Sequence, residues 1–344
     1  MNHSKRNINI DIIKVLALFL VIGVHFFLYT GYNSTSFAYS YFSLPFIAIR
    51  NICMTCVPLF IIVTGYLNKD KTWNKTYYLN IFKIYIIYSI TILLLTFIDS
   101  EYKINFNLIK TFLLNVLNFK FYGWYINMYV GLMLVAPIFN IAFKNMSEQI
   151  RKYAVLNIIL AISIPVTLVD LFANIKHSIL ANFLPNWWYY SWPLIYYMIG
   201  LIFAYDKTFV IDLFKRTKLV FLITLITSSF LYFILNIHTE TTLYANIFIV
   251  ILSMLIFSYF INMNTSTSIF YTLKSYIIYI SNNTLLAFLL SYIVDTYVYP
   301  KIIYRIVSVN IRLTLLPLIV IINFSLTLLI TVIISSILKR VKLL

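Results

Sequence analysis

Three titratable side chains lie on one predicted helix face near the start of the chain: Asp11, Lys14 and His25. Asp11 and Lys14 are three residues apart, so a helix lets them pair. His25 follows Lys14 by eleven residues, which is about three helical turns and a rise of about 16 Å along the same face. An imidazole is a base near neutral pH, and a cation attracts anionic substrates. The spacing therefore places an acid, a cation and an imidazole on one stripe of the first helix, and it does not by itself decide whether they form a site.

Structural interpretations of the same residues stay open from this segment alone. Asp11 and Lys14 can form an ion pair at the membrane surface, with the lysine stem extended towards water. His25 can be a hydrogen-bonding residue between helices. Ionisable residues inside a membrane span are nevertheless costly and are a functional hypothesis by default.

The composition indicates an integral membrane protein. Of the 344 residues, 62% are hydrophobic and only 10% are charged, against roughly 25% charged in soluble domains. No long polar stretch is present that would build a separate soluble domain. We therefore predict an all-α fold, a polytopic transmembrane helix bundle that forms a single domain over residues 1–344.

Apolar runs long enough to cross a bilayer predict about ten spans. They lie near residues 10–30, 44–67, 77–98, 124–143, 153–173, 188–205, 218–236, 243–262, 275–298 and 311–338. Residues 106–119 are amphipathic and too short to cross, so we expect an interfacial or re-entrant segment there.

The basic residues predict the orientation of these spans. With the N-terminus inside, sixteen lysines and arginines fall in inner loops and seven in outer loops. Because cytoplasmic loops collect positive charge, both termini are expected in the cytoplasm. The same loops explain the net charge of +16, so membrane lipid is an expected partner and nucleic acid is not. Cys53 and Cys56 form an isolated C-x-x-C on an apolar run, which favours helix packing, and no metal site is predicted.

The segment "NIDIIKVLALFLVIGVHFF" resembles the opening signature of the acyltransferase 3 family. In that family an acidic residue, then Arg or Lys, then ten residues and a histidine mark the first helix; here these are Asp11, Lys14 and His25. Members are multi-pass membrane enzymes that move acetyl or other acyl groups onto carbohydrate. The resemblance implies that function here.

Three more segments resemble family motifs in the right order: "VPLFIIVTGYLN" at 57–68, "WYINMYVGLMLVAP" at 124–137 and "ISNNTLLAFLLSYI" at 280–293. Two positions depart from the family pattern. Ser291 stands where the family often has a second histidine, so that role is not carried over. Lys83 stands where an arginine is common in the family. A lysine keeps the positive charge but lacks the planar guanidinium that binds an anion through two hydrogen bonds.

The resemblance implies a membrane O-acyltransferase, with O-acetyl transfer to a cell-surface or lipid-linked polysaccharide as the expected reaction. The donor is expected to be cytosolic acyl-CoA, in particular acetyl-CoA, as a co-substrate and not a bound cofactor. His25 is the candidate general base or acyl carrier. Asp11 supports the same stripe, and Lys14 and Lys83 are candidates for binding the anionic donor.

Candidate acceptor-binding residues are Trp124, Asn127 and Arg50. Trp124 can stack on a sugar ring, although an aromatic belt at the membrane surface or core packing explains it better. Arg50 and Arg312 stand near predicted outer ends of spans, where each can hold a carbohydrate or anchor at headgroups.

A competing function is a transporter or flippase that exports a polysaccharide or its lipid-linked precursor. That class predicts internal repeats or broken helices in paired positions, and the sequence shows six glycines and no half-chain symmetry. A glycan polymerase would carry a large polar outer loop, and the outer loops here are short. The expected location is a bacterial plasma membrane, with the acceptor, the acyl group and the oligomeric state left open.

Overall fold

The computed structural model describes residues 6–32, 41–100, 106–172, 186–235, 243–265 and 268–340. Within these ranges the regular elements are helices and no strand occurs, which confirms the all-α prediction. The helices are α1 (Ile8–Tyr29), α2 (Leu44–Cys53), α3 (Cys56–Asn68), α4 (Lys75–Asp99), α5 (Phe106–Leu117), α6 (Trp124–Asn145), α7 (Glu148–Ile158), α8 (Ile164–Phe172), α9 (Asn186–Tyr189), α10 (Trp192–Tyr205), α11 (Lys207–Ile234), α12 (Ile247–Ile261), α13 (Ser268–Asn282), α14 (Thr284–Arg305), α15 (Val309–Thr314) and α16 (Leu316–Arg340).

Eight helical stretches in the described ranges are long and apolar enough to cross a membrane. They are Ile8–Tyr29, Tyr41–Asn68, Lys75–Asp99, Trp124–Asn145, Glu148–Phe172, Asp212–Ile234, Thr284–Arg305 and Leu316–Arg340. The other two predicted spans correspond to α10 and α12, which have 14 and 15 residues. These reach only about 21 Å, against about 30 Å of hydrocarbon. The protein is thus a multi-pass helical bundle, and the count of ten stays a prediction.

Two predicted runs are interrupted where side chains compete for backbone hydrogen bonds. The run 275–298 is not one helix, because α13 ends at Asn282 and α14 begins at Thr284. Asn283 Nδ2 donates to the carbonyl of Tyr279 at 2.8 Å and occupies an acceptor at the end of α13. In the run 44–67, Thr55 Oγ1 donates to a carbonyl of α2 and the chain turns before α3.

Helix α1 forms the centre of the bundle. It contacts α2, α3, α12, α13, α14 and α16, and every residue from Leu20 to Phe27 is buried. A helix facing lipid would leave one side exposed in this protein-only structure. His25 therefore lies inside the protein, surrounded by other helices and not by acyl chains.

Helices α3 and α10 approach each other through two glycines. A Cβ atom on Gly65 would overlap the carbonyl oxygen of Tyr197, and one on Gly200 would overlap that of Ile62. Small residues allow such close backbone approach in membrane bundles, where packing drives helix association. The crossing fixes α3 as a wall of the cavity described below.

Candidate active site

His25 lies against a buried carboxylate supplied by α14. Its Nδ1 is 2.7 Å from Oδ2 of Asp295, and the two residues are 5% and 1% exposed. The N–H direction is not aligned as for a good hydrogen bond, which is common in active sites without substrate. A carboxylate at this distance from Nδ1 is placed to attract a proton there, which would leave Nε2 free to accept one.

Two tyrosines extend this pair into a network. The Tyr122 hydroxyl donates to Oδ2 of Asp295 at 2.7 Å, and its ring stacks on the imidazole of His25 with centroids 4.4 Å apart. The hydroxyls of Tyr29 and Tyr122 are 3.1 Å apart. Burial, together with the nearby Asp295 charge, raises the pKa of Tyr122 well above its usual range. Tyr122 therefore stays protonated and remains a donor to the carboxylate.

Asp295 was missing from the predicted site, although it lies inside the predicted span 275–298. An acidic residue within an apolar run was the signal that could have indicated it. Ser291, one turn earlier on α14, is fully buried and donates to the carbonyl of Phe288 at 2.7 Å. The helix thus carries its acidic group four residues beyond the position where the family often has histidine.

At the opposite end of α1, Asp11 binds partners other than the predicted one. Arg6 donates to both carboxylate oxygens of Asp11 at 2.7 Å, and Ser281 Oγ donates at 2.6 Å. The planar guanidinium matches a carboxylate with two parallel hydrogen bonds, which a lysine does not offer. Asp11 therefore pairs with Arg6 in place of Lys14, and it ties α1 to α13.

Lys14 lines a cavity of about 320 Å³. Its wall includes Val21, Thr64, Tyr125 and Phe288, so α1, α3, α6 and α14 contribute to it. Val21 precedes His25 by one helical turn on α1. A mostly apolar cavity of this size with a few polar groups suits a small ligand or part of a larger one.

The far wall of this cavity adjoins the His25 network. The ring of Phe288 lies 5.6 Å from that of Tyr122 and 5.4 Å from that of Tyr125, measured between centroids. The cavity therefore extends from the cation of Lys14 to the immediate neighbours of the imidazole.

The remaining predicted binding residues lie elsewhere. Lys83 is exposed on α4 and does not line the Lys14 cavity. Trp124 and Asn127 line a separate groove of about 750 Å³ together with Tyr244, and this groove shares no lining residue with the cavity. Arg50 is buried, with its Cζ 5.4 Å from the ring centroid of Tyr32. The cavity thus includes Lys14 and reaches Phe288, a neighbour of the His25 network, while Lys83, Trp124 and Asn127 lie outside it.

Comparison with known proteins agrees with the motifs. No curated protein and no solved structure gives a significant match. The family model of the acyltransferase domain, acyltransferase 3, matches residues 7–338, which is nearly the whole chain. This match includes both residues of the His25–Asp295 contact. The chain belongs to the acyltransferase 3 family, and its activity is that of a membrane acyltransferase.

Proposed function

We propose that the protein transfers an acyl group, in particular acetyl, from cytosolic acyl-CoA to a hydroxyl of a cell-surface or lipid-linked polysaccharide. The observation that carries this proposal is the buried contact between His25 and Asp295 near a cavity that Lys14 lines. Membership of the family supports acyl transfer, generally to carbohydrate.

In the proposed reaction Nε2 of His25 takes the proton of the acceptor hydroxyl. The hydroxyl oxygen forms a bond to the thioester carbonyl carbon, and the carbon–sulfur bond of the donor then breaks. The departing CoA thiolate takes the proton back from the imidazolium, so the products are a glycan ester and free CoA. A base near the operating pH is needed because the alcohol itself is almost never ionised at neutral pH.

Asp295 is a positioning residue in this scheme. Its carboxylate keeps the Nδ1–H tautomer and stabilises the positive charge that develops on His25 during proton transfer. Tyr122 donates to the Oδ2 atom of Asp295 and stacks on the imidazole ring of His25. These two contacts hold the carboxylate and the imidazole in place relative to each other.

The donor is proposed to enter at the Lys14 end of α1. The phosphates of CoA are anionic, and the Lys14 ammonium in the wall of a mostly apolar cavity attracts them. With both termini in the cytoplasm of a bacterial cell, this end faces the cytosolic donor. A reporter fused after residue 340 is expected to be cytoplasmic, and an extracytoplasmic signal there would contradict the proposed direction.

The test supplies radiolabelled acetyl-CoA to membranes of a bacterial host that expresses the chain. Alkali-labile label in the glycan fraction and free CoA are measured together, per amount of folded protein. Membranes with the wild-type chain should form both products in equal amounts. Membranes without the chain, or with His25→Ala, should form neither above background.

Contradiction would come from a wild-type chain that accumulates in folded form and transfers no label. If the same membranes still move a lipid-linked glycan from one leaflet to the other, the export function would replace the enzymatic one.

A further inference from the structure

We propose that the acceptor carries an acidic group, a carboxylate or a phosphate, which Arg312 and Arg50 bind beside the C-terminal turn of α1. This inference rests on the proposed acyl transfer and names the chemical class of its acceptor. It starts from two buried guanidinium groups that have no acidic partner in the described part of the chain.

Arg312, on α15, is 6% exposed. Its Nη2 donates to the carbonyl of Val307 at 3.1 Å, while Nε is buried and has no hydrogen-bond partner among the described residues. Nη2 and Nη1 lie 3.6 and 3.9 Å from the point that a Cβ atom on Gly31 would occupy. The guanidinium therefore lies directly against the turn that follows α1.

Arg50, on α2, is also 6% exposed. Its Cζ lies 5.4 Å from the ring centroid of Tyr32, a cation–π distance, and Tyr32 itself is 1% exposed. Gly31 and Tyr32 are consecutive, so the two arginines contact neighbouring residues of one turn. Positive charge from α2 and from α15 therefore lies against this one turn.

Two other arginines of the described ranges, exposed Arg6 and half-buried Arg151, show what Arg312 and Arg50 lack. Arg6 binds Asp11 through two hydrogen bonds, and Arg151 binds Asp206 in the same way. A buried charge is costly to keep without a partner, and arginines that anchor at headgroups extend their heads into the exposed surface. Two arginines kept buried with no acidic partner among the described residues therefore favour a ligand that enters the protein over a lipid headgroup outside it.

The position fits the acceptor and not the donor. Gly31 follows His25 by six residues, about 9 Å along the helix axis, whereas Lys14 precedes Gly31 by about 26 Å. Tyr29 connects the turn to the site, because its hydroxyl reaches that of Tyr122. Arginine recognises carboxylate and phosphate with paired hydrogen bonds, so an acidic glycan matches this end of α1.

The first arm of the test uses the wild-type protein. Envelope glycan from the host is separated by anion exchange into acidic and neutral pools, and each is offered as acceptor with radiolabelled acetyl-CoA. Label should enter the acidic pool at least about tenfold faster. Before the assay, the acidic pool is treated either by carbodiimide reduction, which removes carboxylates, or with hydrogen fluoride, which removes phosphates. The treatment after which the pool no longer accepts label identifies the acidic group. Equal labelling of both pools, or labelling of the neutral pool alone, would overturn the proposal.

The second arm uses Arg312→Gln and Arg50→Gln, with Arg305→Gln as the matched control, since Arg305 is exposed near the same end of the bundle. Each of the first two variants should raise the apparent KM for the acidic pool by about tenfold, and Arg312→Lys should restore part of it. An unchanged KM, or an equal loss in Arg305→Gln, would contradict the inference.

The arms separate the two proposals. If wild-type membranes neither release CoA nor acylate either pool, acyl transfer itself fails. If His25-dependent acylation occurs but ignores acceptor charge, only the acidic acceptor fails. Where a glutamine variant does not accumulate as folded protein, the comparison of acceptor pools with wild-type protein decides alone.

Discussion

Replacing Asp295 with asparagine is expected to slow acyl transfer by about 10²-fold without changing the apparent affinity for the donor. The exchange keeps the size of the side chain and removes the charge that lies 2.7 Å from Nδ1 of His25. Asp295 does not line the Lys14 cavity, so the KM for acetyl-CoA should stay near that of the wild type.

The magnitude follows from the distance. For unit charges 2.7 Å apart and an effective dielectric constant of about 20, the attraction is about 6 kcal/mol. If roughly half of the positive charge has developed on His25 in the transition state, the carboxylate contributes about 3 kcal/mol, which is a factor of about 10² in rate. Loss of the preferred tautomer lowers the rate further.

The assay measures CoA release by purified protein in lipid nanodiscs, with kcat and KM determined separately. Ser291→Ala is the matched control, because Ser291 is equally buried on α14 and bonds only to a carbonyl of its own helix. Its kcat should remain within a few-fold of the wild type. An Asp295→Asn protein with the same kcat as Ser291→Ala would refute the positioning role, even if its folded yield were lower.

Further changes test the parts around the imidazole. Tyr122→Phe removes one donor to the carboxylate, and turnover at saturating acetyl-CoA should fall about tenfold; an unchanged turnover would make that hydroxyl structural. Lys14→Ala should raise the KM for acetyl-CoA about tenfold and Lys83→Ala should not, so equal KM values would remove Lys14 from the donor site. Gly200→Ala places a methyl group against the backbone of α3 and should lower the yield of monodisperse protein in size-exclusion chromatography, whereas Gly131→Ala, whose Cβ meets nothing within 4 Å, should not; equal yields would contradict the close crossing.

The sequence was sufficient for the fold class because the bilayer imposes it. Apolar runs of span length admit only helices in lipid, since every backbone group must be satisfied internally. The family motifs likewise depend on local order along the chain, and the match over residues 7–338 confirms the family that they indicated. The helix breaks, such as that at Asn283, were not predicted, because the apolar run continues through them.

The contacts of the site required tertiary structure. His25 and Asp295 are 270 residues apart in the chain, and only the packing of α1 against α14 brings them together. The Arg6–Asp11 pair was not predicted, because helical spacing indicates only Lys14 as a partner of Asp11. Arg6 precedes the helix, so helical spacing does not indicate its contact with Asp11. The sequence does not indicate which way the Trp124 side chain faces. In the structure it lines a groove away from the imidazole of His25.

The central claim is that His25 supplies the base for acyl transfer, and a single-turnover measurement of His25→Asn tests it most directly. Asparagine keeps hydrogen-bonding capacity beside Asp295 and removes the basic nitrogen. With folded protein confirmed by size-exclusion chromatography, the rate of glycan ester formation should fall by about 10²-fold or more. A structural hydrogen bond between helices is worth only about 1 kcal/mol, so a His25→Asn protein that still forms ester at a rate near the wild type would contradict the catalytic role.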